Sequence, residues 1–171
     1  MPSQLCVDIE TNGLYEEVTK LHCIVAKDMT TGIVYKYHNG LGEHEVNSLR
    51  EGLLHLKSAD LIVGHNFIDY DMRVIRKLYK LELNVDRIVD TLLLSHMLNP
   101  HMSRHPGCPA SKETVAGRRM IGPHSLENWG YYLGIGKIEY EDWTTFTPEM
   151  LERCKGDVEI THKLYNKFKG E

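Results

Sequence analysis

The 171 residues lack any CxxC spacing, and Cys6, Cys23, Cys108 and Cys154 stand far apart along the chain. That scatter argues against a structural zinc site and against a disulfide framework, so the four are expected as reduced thiols. No apolar run approaches the roughly 20 residues needed to span a bilayer. Met1, Pro2, Ser3 and Gln4 lead straight into an apolar run that meets an acid at Asp8, which is not the pattern of a signal peptide. The cytoplasm is the expected location, with no membrane partner. Internal repeats and low-complexity tracts are missing as well. Positive charge is not in excess: 20 Lys and Arg stand against 24 Asp and Glu, a formal charge of −4. The chain is therefore no uniformly basic nucleic-acid binder, yet the balance suits an acidic site that attracts divalent cations.

What is present is an ordinary globular composition, 42% hydrophobic and 26% charged, at a length expected to form one domain over residues 1–171. Residues 5–10 read as a buried strand, and residues 21–27 and 33–37 as two more, joined at Thr30-Thr31-Gly32. Val46, Leu49, Leu53 and Leu56 recur at helical spacing over residues 45–56, and residues 61–64 return to strand. A helix is predicted over 70–79, a short strand over 87–89 and another helix over 91–98. Residues 99–123, rich in proline and glycine and without a sustained period, read as a long loop of the kind that often carries function. A short helix over 125–133 and a final one from Thr147-Pro148 to Phe168 close the chain. The order βββαβαβαα predicts an α/β fold, a mixed sheet with helices on its faces.

Asp8 and Glu10 lie two apart on the first strand, so the period of two points both to one face of an otherwise apolar element. Burying two like charges calls for a cationic partner or a metal ion. Taken alone, a strand end running into solvent explains them equally well. Two further acids shift that balance, because Asp71 follows the strand at 61–64 and Asp157 lies inside the last helix. Four carboxylates on separate elements suit two Mg2+ or Mn2+ ions, hard cations that prefer oxygen ligands and together clamp an in-line phosphoryl displacement.

Three segments carry a family resemblance: Val7-Asp8-Ile9-Glu10-Thr11, His65-Asn66-Phe67-Ile68-Asp69-Tyr70-Asp71, and Gly156-Asp157-Val158-Glu159-Ile160-Thr161. In order and approximate spacing they resemble the three motifs of the DEDD exonuclease superfamily. The run from Gly122-Pro123-His124-Ser125-Leu126 to Leu133-Gly134 is similar to the proofreading domain of family A DNA polymerases, most of all the type encoded by short-tailed bacteriophages. The resemblance implies a ribonuclease-H-like fold, two divalent cations, and removal of nucleoside monophosphates from the 3′ end of single-stranded DNA or of frayed duplexes. It implies that Asp8 bridges both ions, that Glu10 and Asp157 complete the site of the water-activating ion, and that Asp71 serves the other. It further implies that Thr11 and Leu14 hold the terminal nucleotide, Leu14 as an apolar wedge, and that Asn66 contacts the strand. A phage-encoded chain would work in the host cytoplasm. It would be free-standing, or a domain cut from or encoded apart from a DNA polymerase, which would then be its protein partner.

The chain departs from this pattern at one place. Relatives carry a tyrosine four residues before the last aspartate, or a histidine five before it, to position the attacking water; here those places hold Arg153 and Glu152. Arg153 falls one turn before Asp157 on the same helical face, but a guanidinium stays protonated and cannot act as a general base. It can pair with Asp157 or bind the scissile phosphate; alternatively another residue replaces the tyrosine, or the site is impaired.

The remaining candidates are weighed against plainer roles. Arg104, Lys112, Arg118 and Arg119 concentrate positive charge in the long loop, making Arg118 and Arg119 candidates for guiding a strand. His101, His105 and Cys108 have spacing a transition metal could use, though no fourth ligand is evident. His65 suits substrate contact or a helix cap equally. Trp129 with Leu126 and Leu133 is expected in the core, and Lys163, Lys167 and Lys169 on a solvated helix end. Two alternatives to a DNA exonuclease stay open: an RNA exonuclease of the same superfamily, since nothing in the motifs reads a 2′-hydroxyl, and a catalytically silent nucleic-acid-binding module.

Overall fold

The computed structural model describes residues 2–40, 47–109, 111–114, 117–136, 140 and 142–170, with residues 111–114 and 117–120 described by their backbone alone. Five strands form the main sheet in the order β3-β2-β1-β4-β5. Strands β1 (Gln4–Thr11), β2 (Leu21–Asp28) and β3 (Val34–His38) make the antiparallel meander. Strands β4 (Leu61–Gly64) and β5 (Ile88–Asp90) add in parallel on the other side of β1. The sheet is therefore mixed, as the element order predicts, and β1 lies at its centre.

The alternation along β1 decides what each face holds. Leu5, Val7 and Ile9 join the apolar cluster that includes Leu49, Leu53 and Leu56 of α1 (Leu49–Ser58) and Val74 and Ile75 of α2 (Met72–Tyr79). Cys6 joins the opposite cluster, with Cys23, Val25, Val63, and Cys154 and Val158 of α5 (Pro148–Lys169). Asp8 and Glu10 share the parity of Cys6, so the same alternation that buries one row under α1 and α2 turns both acids toward α5.

Four local features differ from the sequence reading. Helix α1 starts at Leu49, not at residue 45, because Ser48 and Glu51 form a reciprocal capping box after Asn47 at φ 72; residues 45 and 46 lie outside the described residues. A single π-helical turn, Phe67–Asp71, precedes α2, so the helix expected from residue 70 begins two residues later. Strand β5 is shifted by one residue, to Ile88–Asp90. Residues 99–123 are not wholly loop, since β6 (Ser111–Thr114) and β7 (Gly117–Met120) pair as an antiparallel hairpin. Alternating polar residues there gave no apolar period to read.

Helices α3 (Thr91–Leu98) and α4 (Leu126–Tyr132) complete the architecture. Trp129 is a core residue as expected: it packs with Leu126, Ile160, Leu164 and Phe168, and its indole N–H donates to Ser95 Oγ at 2.8 Å. Thr147 caps α5 by accepting from the Met150 N–H, and Pro148 occupies the first turn. Lys163, Lys167 and Lys169 are exposed at the end of α5. Among the described residues no helix is long and apolar enough to cross a membrane.

Candidate metal centre

The acids of β1 meet α5 at the end of the sheet where β1 and β2 lose register. Glu10 pairs with Cys23 and Thr11 with Leu21, which leaves His22 as the extra residue of a bulge. Across from this point α5 presents Arg153, Cys154 and Asp157. The Arg153 guanidinium lies 3.4 Å from Glu10 Oε1 through Nε and 3.5 Å from Asp157 Oδ2 through Nη2. It thus ties β1 to α5 through two carboxylates that are slightly more buried than it is. The same guanidinium lies over the Trp143 ring, with Cζ 4.9 Å from the ring centroid.

Asp8 is joined to the group by Cys154, whose thiol donates to the Asp8 carbonyl and to Asp8 Oδ2, each at 3.4 Å. Ligand atoms of Asp8, Glu10 and Cys154 all lie within 4.8 Å of one another. Burial pushes the Cys154 thiol well above its ordinary pKa, helped by Cys23 and by the Asp8 and Glu10 carboxylates. Its contacts orient Asp8, and the acids of the group supply oxygen donors. A set of carboxylate oxygens fits Mg2+ or Mn2+ and not a thiolate-seeking ion. Sequence reasoning passed over this cysteine, although its place three residues before Asp157 puts it on the same helical face.

Asp71 arrives by a different route. Gly64 ends β4, where a Cβ would come within 2.7 Å of Phe67 Cβ, so only glycine lets the chain fold back over its own strand. Asn66 then takes a left-handed φ of 60, and the π turn swings Asp71 inward until it is 4% exposed. Burial raises its carboxyl well above the ordinary range, and the neighbouring Asp8, Glu10 and Asp90 carboxylates raise it further against a backbone N–H that lowers it.

Asp90, another residue that the motifs did not flag, holds this turn in place. Its carboxylate accepts from the backbone N–H of Asn66 at 2.9 Å, Ile68 at 3.1 Å and Leu92 at 2.9 Å. Asp90→Ala would strand three amide donors at the start of the π turn and α3. The expected loss is about 2–3 kcal/mol of stability, measured by denaturant unfolding. Metal affinity should fall with it, because Asp71 loses the frame that aims it.

The other expected site residues are placed as follows. Thr11 Oγ1 donates to the Gly13 carbonyl at 3.0 Å and also bonds the Tyr70 hydroxyl, which donates to the same carbonyl at 2.6 Å. Tyr70 therefore belongs beside Thr11, although the sequence reading assigned it no role. Leu14 is 61% exposed, as a wedge against bases would require. The His65 ring bonds Thr91 Oγ1 at 2.9 Å through Nδ1. Arg118 and Arg119 lie on β7, and their side chains are outside the described residues. His105 Nδ1 accepts from the Gly107 N–H at 3.1 Å, and its ring packs against Tyr131 and Tyr132.

Residues 5–107 match the RNase H superfamily. The chain belongs to that superfamily. It is 33% identical over 96% of its length to the DNA-directed DNA polymerase of Enterobacteria phage T3 and 32% identical over 94% to that of Escherichia phage T7. It spans only 26% of either polymerase. Among solved structures it resembles Brucella melitensis NrnC with bound Mg2+, at a TM-score of 0.64 and 18% identity over 99% of this chain and 73% of that one. The resemblance read from the three motifs, and the ribonuclease-H-like fold it implied, are both borne out.

Proposed function

We propose that the chain is a metal-dependent 3′→5′ exonuclease that removes nucleoside monophosphates from single-stranded or frayed DNA ends. The observation that carries this reading is a group of buried acids: Asp8 and Glu10 on the face of β1 turned toward α5, Asp157 joined to Glu10 through Arg153, and Asp71 near enough for the Asp8 and Glu10 carboxylates to raise its own. Similarity to two phage DNA polymerases over nearly the whole chain supports DNA as the substrate and a polymerase as the partner. Two divalent ions held by Asp8, Glu10, Asp71 and Asp157 would supply charge neutralisation and water activation for phosphodiester hydrolysis.

The chain's own residues divide the remaining work. Asp8, kept in orientation by Cys154, would serve both ions, with Glu10 and Asp157 completing one site and Asp71 the other. Thr11 and exposed Leu14 receive the terminal nucleotide, Asn66 and His65 line its approach, and Arg118 and Arg119 attract the strand. Arg153 contributes positive charge where the scissile phosphate becomes more negative.

Digestion of 3′-labelled and 5′-labelled oligonucleotides with Mg2+, Mn2+ or chelator tests the reading, with matched DNA and RNA in parallel. Mononucleotide release from the 3′ end of DNA, abolished by chelation, is the expected result. Undiminished cleavage in chelator defeats the metal assignment, and preferential digestion of RNA defeats the assignment of substrate.

A further inference from the structure

We propose that Trp143 is a positioning residue that clamps Arg153 into the Glu10–Asp157 half of the cage, so that a divalent ion gains that half only by displacing the guanidinium. The proposal rests on the metal-dependent reading above and concerns how metal entry is controlled.

Three observations carry it. The Arg153 side chain is 13% exposed between carboxylates that are 10% and 7% exposed, so solvent screens their attraction little. Its Cζ lies over the indole of Trp143, 4.9 Å from the ring centroid, a cation–π contact on the same guanidinium that meets both acids. Trp143 is itself pinned. Its carbonyl accepts from His22 Nε2 at 2.9 Å, and His22 is the extra residue that the β1–β2 bulge turns out of register, 2% exposed, beside Glu10. The bulge that shifts the register after Glu10 therefore also anchors the loop that holds Arg153.

A guanidinium and a divalent ion cannot both neutralise the same two carboxylates at full strength, so their binding is mutually exclusive in charge. The clamp sets how readily the arginine yields. Phe in place of Trp143 keeps an aromatic face; Leu does not.

Calorimetric titration with Mn2+ alone tests this, on folded proteins verified by circular dichroism. Arg153→Met should bind Mn2+ at least about tenfold tighter, since a like charge has left the site. Trp143→Leu should tighten binding several-fold, and Trp143→Phe should fall between it and the unaltered protein. In the Arg153→Met background, Trp143→Leu should have no further effect, because the clamp has nothing left to hold. Unchanged or weaker affinity in Arg153→Met, or a Trp143→Leu effect that persists without Arg153, overturns the proposal. The titration contains no nucleic acid, so it stands apart from the nuclease reading: absent cleavage with intact coupling defeats the proposed function only, and absent Mn2+ binding in every variant defeats both.

Discussion

Asp8→Ala should reduce 3′-end cleavage by more than about 100-fold at saturating Mg2+ while the protein remains folded. The magnitude follows from position: groups that merely support a metal ligand cost roughly 10–100-fold when lost, and Asp8 is expected as a ligand itself. Its carboxylate accepts from the Cys154 thiol and raises the Asp71 carboxyl. Without metal, the same replacement removes one of several clustered negative charges, so the metal-free variant should melt at or above the temperature of the parent. Single-turnover kinetics and thermal unfolding in chelator check the two halves. Turnover within tenfold of the parent would sink the assignment of Asp8, and a large drop in melting temperature would show that its role is structural.

Without metal, the parent should lose stability relative to Asp71→Asn as the pH rises, and Mg2+ should reverse the trend. The sign follows from Asp71, whose carboxyl is held well above its ordinary value by burial and by Asp8. Below the ordinary carboxylate range, folded and unfolded chains both carry the proton and the site imposes no penalty. As the pH climbs past about 4, the unfolded chain releases that proton while the folded chain keeps it, so stability declines until the raised folded value is passed. The slope from one such group is at most about 1.4 kcal/mol per pH unit. Divalent ions favour the ionised carboxylate, so Mg2+ binding should release protons and stabilise most at the higher pH. Denaturant unfolding between pH 4 and 8, with and without Mg2+, measures this. A metal-free difference between parent and Asp71→Asn that stays flat or moves in the parent's favour across that range would contradict the account of Asp71.

Much of this protein is legible in its residues. The alternation of Leu5, Val7 and Ile9 against Cys6, Asp8 and Glu10 assigns both faces of β1, because side-chain direction in a strand depends only on parity. Thr147-Pro148 marks the start of α5, and helical spacing places Arg153 one turn before Asp157, since both rules act within a few residues. The superfamily was equally legible, from three short segments whose chemistry demands particular residue types. Within the sequence, however, Cys154 looked like one more scattered thiol, and Asp90, His22 and Trp143 attracted no notice.

Their roles come from neighbours distant in the chain. Asp90 supports Asp71 because β4 and β5 lie side by side and their ends bring one carboxylate to three amides. The π turn exists because that support, and the close approach of Phe67 to Gly64, favour it over the α-helical continuation that local spacing predicts. His22 reaches Trp143 only through a bulge, and a bulge is a property of two paired strands, invisible in either alone. The sequence by itself therefore determined which carboxylates are present, which face each strand residue takes and the family to which they belong, because those depend on residue type and local period. Only the tertiary structure decided that Arg153 lies between Glu10 and Asp157 under an indole, because that arrangement balances buried charges contributed by a strand, a helix and a loop that meet only once the chain has folded.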